Sequence, residues 1–188
     1  MLNYNDFILS ESFEQELDNL TLNEDLFHPM KTKRIKKALK DYQKAKVEIA
    51  REEITTKQKM EKVDDPEAKE KIKTAMSRKK EAQQELIDQT QQTLDANATT
   101  DSLKDLASYG KAQADQQALK IRIKAEENDA KKAELQDTMQ KVAAKAKEMK
   151  DSLDKRIKGD KAKQDEEDKK NKGEGQENNN NTENNENK

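Results

Sequence analysis

The side chains in this sequence best suited to chemistry are the basic ones of KTKRIKKALKDYQKAK, residues 31–46. This run holds eight Lys or Arg residues and one acid. At helical spacing most of the cations share one side and Ile35, Leu39 and Tyr42 share another, which predicts a basic amphipathic helix. Such a helix can contact nucleic-acid phosphates, an anionic membrane or an acidic protein, and it is equally typical of a solvated helix face. The candidate phosphate contacts are the basic residues of its first three turns: Lys31, Lys33, Arg34, Lys36, Lys37 and Lys40.

Catalytic and metal-binding patterns are absent from the sequence. It has one histidine, His28, and no cysteine, so a zinc site lacks its usual ligands and disulfides are excluded. The sequence has no glycine-rich phosphate loop and no nucleophile elbow. Its many carboxylates lie in charged helical patterns without an apolar pocket around them. We therefore predict a protein that is not an enzyme and uses no cofactor.

The composition favours long helices over a compact globule. Of 188 residues, 30% are hydrophobic, 3% are aromatic and 41% are charged, with only 4 Gly and 2 Pro. This leaves either disorder or helices with a narrow apolar seam, and the many Ala, Lys, Glu and Gln residues favour helices. No apolar run approaches the roughly 18 residues of a membrane span, and the acidic N-terminus lacks the basic start of a signal peptide. We expect the cytoplasm or an intracellularly assembled particle.

Charge divides the chain into three parts. Residues 1–30 form an acidic amphipathic head with seven acids and no Lys or Arg. Residues 31–158 form a basic helical body, with 32 basic and 24 acidic residues. Residues 159–188 form a tail rich in Asn, Glu and Lys that follows a predicted helix stop at Lys158 and Gly159. Because the tail has no residues able to build a core, we predict that it is disordered.

The body is predicted to be all-α, a long antiparallel helical hairpin or coiled coil. Its last helix, residues 103–157, carries a seam with alternating spacings of four and three, in which Asn128 and Lys132 are polar interruptions. The seam residues are Leu135, Met139, Val142, Ala146, Met149 and Leu153. Such a stripe needs a partner helix, which either the same chain or a second copy can supply, so we expect homo-oligomers.

Two places in the body carry turn signals. Residues 95–102 are the strongest turn, with Thr100 or Asp101 as cap of the next helix, and folding there gives arms of about 96 and 82 Å. Asp65 and Pro66 form a second helix-start signal, with Asp65 as N-cap. A kink at this position leaves the hairpin intact, whereas a reversal gives three helices. We favour the hairpin, because the second signal has few connecting residues.

The head carries two short apolar faces. Tyr4, Phe7 and Ile8 share one face of a short helix, and Phe13, Leu17 and Leu20 make a second face. Two interpretations fit this pattern. The head is either a helical cap that folds over the long helices or a detachable docking peptide whose face enters a partner's groove.

The sequence MLNYNDFILSE resembles the N-terminal capsid-targeting peptide of internal head proteins from contractile-tailed bacteriophages. In that family the peptide has an aromatic residue, then Phe-Ile or Phe-Leu, then an acidic close, and a prohead protease cuts after Glu in a Leu/Ile-x-Glu pattern. Two matching triplets end at Glu11 and Glu24. The resemblance implies a non-enzymatic structural protein inside the virion head or in the infected cell, an internal head or scaffold-core component with capsid or scaffold partners.

Two other functions fit the same sequence. The first is a helical coiled-coil adaptor that binds a protein partner through Tyr4, Phe7 and Ile8 of the amphipathic head. The second is a non-specific nucleic-acid binder that uses the basic helix of residues 31–46.

Overall fold

The computed structural model of the protein describes Phe13, Gln15, residues 17–19 and residues 28–173. Within these residues it contains four long helices and no strand, which confirms the predicted all-α class. The helices are α1 (Pro29–Glu61), α2 (Pro66–Asn97), α3 (Asp101–Ala125) and α4 (Asp129–Gly173).

The predicted helix starts are confirmed by their caps. The Asp65 carboxylate accepts hydrogen bonds from the backbone N–H groups of Glu67 and Ala68 at 3.2 and 3.1 Å, and Pro66 is the first residue of α2. The Thr100 hydroxyl accepts from the N–H of Leu103 at 3.3 Å and caps α3. These short polar side chains satisfy donors that a helix start otherwise leaves without partners.

The chain reverses direction between α1 and α2, which the favoured hairpin did not predict. Lys79 and Lys80 of α2 pair with Glu52 and Glu53 of α1 at 2.7 and 3.2 Å. Further along α2, Ile87 lies in a cluster with Ile49 and Leu94 in a cluster with Ile35, so the two helices run antiparallel. Residues 32–95 are therefore not one arm, and that part of the prediction is wrong. The four connecting residues are enough, because helix connections of about 2–8 residues are ordinary in bundles.

A second break divides the helix that we predicted over residues 103–157. The Asn128 side chain accepts from the N–H of Lys131 at 3.0 Å, and the Glu126 carboxylate accepts from the N–H of Asn128 at 3.0 Å. Asn128 is thus an N-cap of α4 and not a seam residue as predicted. The pair Asn128-Asp129, a cap followed by an acid in the first turn, was the local signal for this start.

The predicted helix stop at Lys158 and Gly159 is also wrong, since α4 continues to Gly173. Gly159 has no positive φ angle, and the residues after it are mostly good helix formers. One glycine costs a helix only about 1 kcal/mol. Residues 174–188, the rest of the predicted tail, lie outside the described residues.

The four helices form an up-down-up-down bundle with α1 and α3 in the middle. Later residues of α1 contact later residues of α3, as the pairs Gln43–Gln117 and Glu53–Arg122 show, so these two helices run parallel. The antiparallel helix α2 packs along α1, and α4 packs along α3, whereas α2 and α3 barely touch. This packing fits a helical bundle. None of the described helices is long and apolar enough to cross a membrane.

Most of the apolar core lies at one end of the bundle, here called the core end, where α1 and α3 begin. Ala146 and Leu153 of the predicted α4 seam are buried there, with Val142 and Met149 partly buried beside them. The largest buried side chains at this end come from the head and all four helices: Phe13, Leu17, Ile35, Leu39, Leu94, Leu103, Leu106, Tyr109 and Leu153. At the opposite end, here called the open end, α1 finishes at Glu61 and α4 begins at Asp129.

Candidate functional site

The predicted phosphate contacts on α1 divide into two groups. Lys33, Arg34 and Lys37 are exposed, whereas the other three are half-buried. The Lys31 ammonium donates to the Thr99 hydroxyl at 2.8 Å, and Lys36 pairs with Asp18 of the head at 3.3 Å. Lys40 is the third half-buried lysine of this group. The helix therefore uses part of its positive charge within the molecule and presents the rest to solvent.

The apolar face of this basic helix is covered. Ile35 and Leu39 have 0% exposure and Tyr42 has 5%. These residues pack against α2, α3, α4 and the head in the bundle core. The amphipathic pattern read from the sequence is therefore explained by tertiary packing, and only the polar face of α1 is open to a partner.

Tyr42 lies at the centre of a polar contact between α1 and α3. Lys46 pairs with Asp115 at 3.1 Å, and the ammonium groups of Lys46 and Lys111 lie 5.3 and 5.9 Å from the Tyr42 ring centre. Burial raises the pKa of Tyr42, and the Asp115 charge raises it further. Burial opposes the charge on Lys46, but Asp115 and Tyr42 outweigh it, so its pKa is also raised. Both groups keep their protons at neutral pH, which suits a structural contact and not proton transfer.

A buried amide pair lies next to this contact. Gln43 Nε2 of α1 donates to Gln117 Oε1 of α3, and both side chains are buried. A shift of either helix by one turn would break this hydrogen bond, and losing a hydrogen bond between buried polar groups is costly. The pair therefore sets the register between the two central helices.

At the open end charged groups connect three helices. Glu53 of α1 accepts from Arg122 of α3 through Nε and Nη2 at 2.9 and 2.8 Å, and its other oxygen pairs with Lys80 of α2 at 3.2 Å. Lys57 and Glu126 pair at 3.5 Å. The backbone N–H of Asn128 lowers the pKa of Glu126, and the charge of Lys57 adds to the effect.

These groups border a groove of about 480 Å³ between α1, α3 and α4. Its lining includes the apolar Ile54 and Leu135, three exposed carboxylates and the exposed ammonium groups of Lys57 and Lys131, and its carboxylates outnumber its cations. The exposed carboxylates belong to Glu61, Glu127 and Glu134. The arrangement can receive a cationic side chain with an aliphatic stem. Sequence reasoning did not find this groove, because its α1 wall is more than 60 residues from the α3 and α4 walls along the chain.

The head contributes to the core end, as the cap interpretation predicts. Phe13 and Leu17 have 2% and 1% exposure and lie in the same cluster as Ile35 and Leu103. The other residues singled out in the head lie outside the described residues: Tyr4, Phe7, Ile8, Glu11, Leu20 and Glu24.

The lone histidine stands at the start of α1. His28 is exposed and is the N-cap residue, but its side chain makes no capping hydrogen bond. Across the described part of the chain, no group of three or more His, Cys, Asp or Glu side chains could hold a metal ion.

Comparison with protein-family models, curated proteins and solved structures gives no match to this chain. Its function is therefore inferred from its own residues and their geometry.

Proposed function

We propose that the chain is a non-enzymatic structural protein of a bacteriophage particle, an internal head or scaffold-core component directed to the capsid by its N-terminal peptide. The observation that carries the proposal is the resemblance of residues 1–11 to the targeting peptide of internal head proteins. The polar contacts inside the bundle agree with a structural role, since Gln43–Gln117 and Glu53–Arg122 join helices to one another.

The burial of Phe13 and Leu17 favours one of the two processing sites. Phe13 follows Glu11 by two residues, and Phe13 and Leu17 are buried in the core end. A cut after Glu11 removes the peptide and leaves both residues in place. A cut after Glu24 also removes Phe13, Leu17 and the Asp18 partner of Lys36, and losing a buried Phe side chain alone costs about 3–5 kcal/mol. The proposal therefore assigns processing to Glu11.

The proposal places the protein inside the head, with capsid or scaffold proteins and further copies of itself as partners. Leu135 and Met139 on α4 are apolar and only half-buried, so a second copy of the chain can pack against them.

The test is the intact mass of the protein recovered from purified particles, compared with the full-length 21.6 kDa. A chain that begins at Ser12 supports the proposal, and a full-length mass overturns the processing. A chain that begins at Asp25 supports processing but overturns its assignment to Glu11. We expect Glu11→Gln to retain the peptide, whereas the matched control Glu24→Gln is processed normally.

A helical adaptor is the second candidate. The groove at the open end favours it, because a bundle about 50 Å long can then bind partners at both ends. In this function the N-terminus stays intact and Tyr4, Phe7 and Ile8 bind the partner. The adaptor predicts that Phe7→Asp abolishes capture of the partner, whereas Met30→Asp, at a residue with 66% exposure, does not.

A further inference from the structure

Four basic residues of α1 form an exposed group, here called the cation stripe: Lys33, Arg34, Lys37 and Lys44. None of the four is paired with a carboxylate of the described residues. Asp18 pairs with Lys36 and Asp115 pairs with Lys46, whereas Asp41 and Glu48, four residues after Lys37 and Lys44, share the stripe's side of α1 at helical spacing. The one acid within residues 31–46 is Asp41, which is half-buried. Four exposed cations outnumber Asp41 and the half-buried Glu48, so the stripe is a local positive surface on a chain whose net charge is −2.

Three of the four members of the stripe are aligned along α1, and the backbone that carries them is fixed. At about 100° per residue, Lys33, Lys37 and Lys44 lie within about 40° of one another around α1 and span about 16 Å along it. The opposite side of α1 is anchored in the core by Ile35 and Leu39, each with 0% exposure. Only side-chain freedom is then lost when the lysines bind, because the backbone is already ordered.

We propose that the cation stripe binds the phosphates of duplex nucleic acid without reading its sequence. One strand of a duplex carries a phosphate about every 3.4 Å along the axis, so 16 Å of helix faces about five phosphates. Lysine and arginine contact phosphates through charge and are indifferent to the base beside them. Between Lys33 and Lys44 no exposed residue has an aromatic or amide side chain that could read a base edge.

The fold argues against the membrane as the partner. A helix that lies on a membrane inserts its apolar face between the lipids, but the apolar face of α1 packs inside the bundle. The cation stripe contains no residue before Lys33, so the inference stands or falls separately from the targeting peptide.

The test measures binding of the full-length protein to a fluorescein-labelled duplex of about 20 bp by anisotropy, between about 50 and 200 mM NaCl. If each of the four cations neutralises one phosphate, log K falls with log[salt] at a slope of about −3.6, a loss of about 150-fold over this range. Two duplexes of unrelated sequence should bind equally. No detectable binding at the lowest salt would overturn the proposal.

Matched variants assign the binding to the stripe. The variant K33Q/R34Q/K37Q/K44Q should lose nearly all of the slope. The control K145Q/K147Q/K155Q/K158Q removes the same charge from exposed positions of α4 and should keep the slope. Equal losses in the two variants would overturn the proposal. Should the first variant fail to fold, K37Q alone is expected to reduce the slope by about 0.9.

Two competitors test the class of partner. Vesicles of phosphatidylserine and phosphatidylcholine, and poly-glutamate, are titrated against the labelled complex in the same buffer. The proposal expects unlabelled duplex to displace the probe at lower charge concentration than either competitor. Stronger displacement by the vesicles or by poly-glutamate would overturn it, in favour of a membrane or an acidic protein respectively.

Discussion

Gly110 of α3 packs so closely on Leu39 of α1 that a β-carbon at position 110 would overlap the leucine side chain. Leu39 is fully buried and cannot move aside freely. This contact brings the two central helices together at the core end. The packing therefore makes Gly110 the point of a close helix crossing.

The first prediction compares Gly110 with Gly159, a glycine inside α4. We expect Gly110→Ala to lower the free energy of unfolding by about 1–2 kcal/mol, because overpacking outweighs the gain in helix propensity. Gly159→Ala is the control, since a β-carbon there meets no atom within 4 Å, and it should raise stability by up to about 1 kcal/mol. Urea unfolding followed by circular dichroism measures both. Equal effects at the two positions would contradict the close packing.

The second prediction concerns the buried amide pair. Changing Gln117 to Leu leaves the buried Gln43 amide without this hydrogen bond, and changing Gln43 to Leu removes the same bond from Gln117, so each single variant should lose about 1–3 kcal/mol. The double variant should be less destabilised than the two single losses added together, because both single variants lose the same hydrogen bond. A double-mutant cycle from urea unfolding measures the coupling. Additive losses would show that the two amides do not interact.

The third prediction is a loss of stability at alkaline pH. The pKa of Tyr42 is raised above its ordinary 10.0 and that of Lys46 above 10.5. A group whose pKa is higher in the folded state contributes its full stability below the unfolded pKa and loses it as pH rises through the folded pKa. Stability should therefore fall above about pH 10.

The variant Tyr42→Phe isolates the tyrosine part of this effect. Its free energy of unfolding should decline less between about pH 8 and 10.5 than that of the unchanged protein, because phenylalanine does not titrate. The comparison at about pH 8 corrects for any change in packing. The same decline in both proteins would assign the alkaline sensitivity to other groups.

The fourth prediction tests the packing of the head. Phe13→Ala should lower stability by about 3–5 kcal/mol, since Phe13 is buried among Ile35, Leu103 and their neighbours. Met30→Ala, at an exposed site, should change stability by less than about 0.5 kcal/mol. Thermal unfolding of the two variants measures the difference. A neutral Phe13→Ala would mean that the head does not stabilise the bundle.

The features predicted correctly from sequence were local ones. The caps at Asp65 and Thr100 depend on a polar side chain and on N–H groups two or three residues away, so a short window of sequence contains the whole interaction. The apolar stripe on α4 follows from helical periodicity alone, and Ala146 and Leu153 are buried as the stripe requires. The all-α class follows from composition for the same reason, because helix propensities act residue by residue.

The features that only the tertiary structure decided are contacts between distant residues. Lys36 and Lys37 are adjacent and chemically alike, yet Asp18 pairs with Lys36 while Lys37 faces solvent. The partner of Gln43 lies 74 residues away. Local signals at residues 62–65 permit both a kink and a reversal, and the choice depends on which apolar faces cover each other. The sequence alone therefore determines where helices can begin, while packing between helices determines which charges remain free to bind a partner.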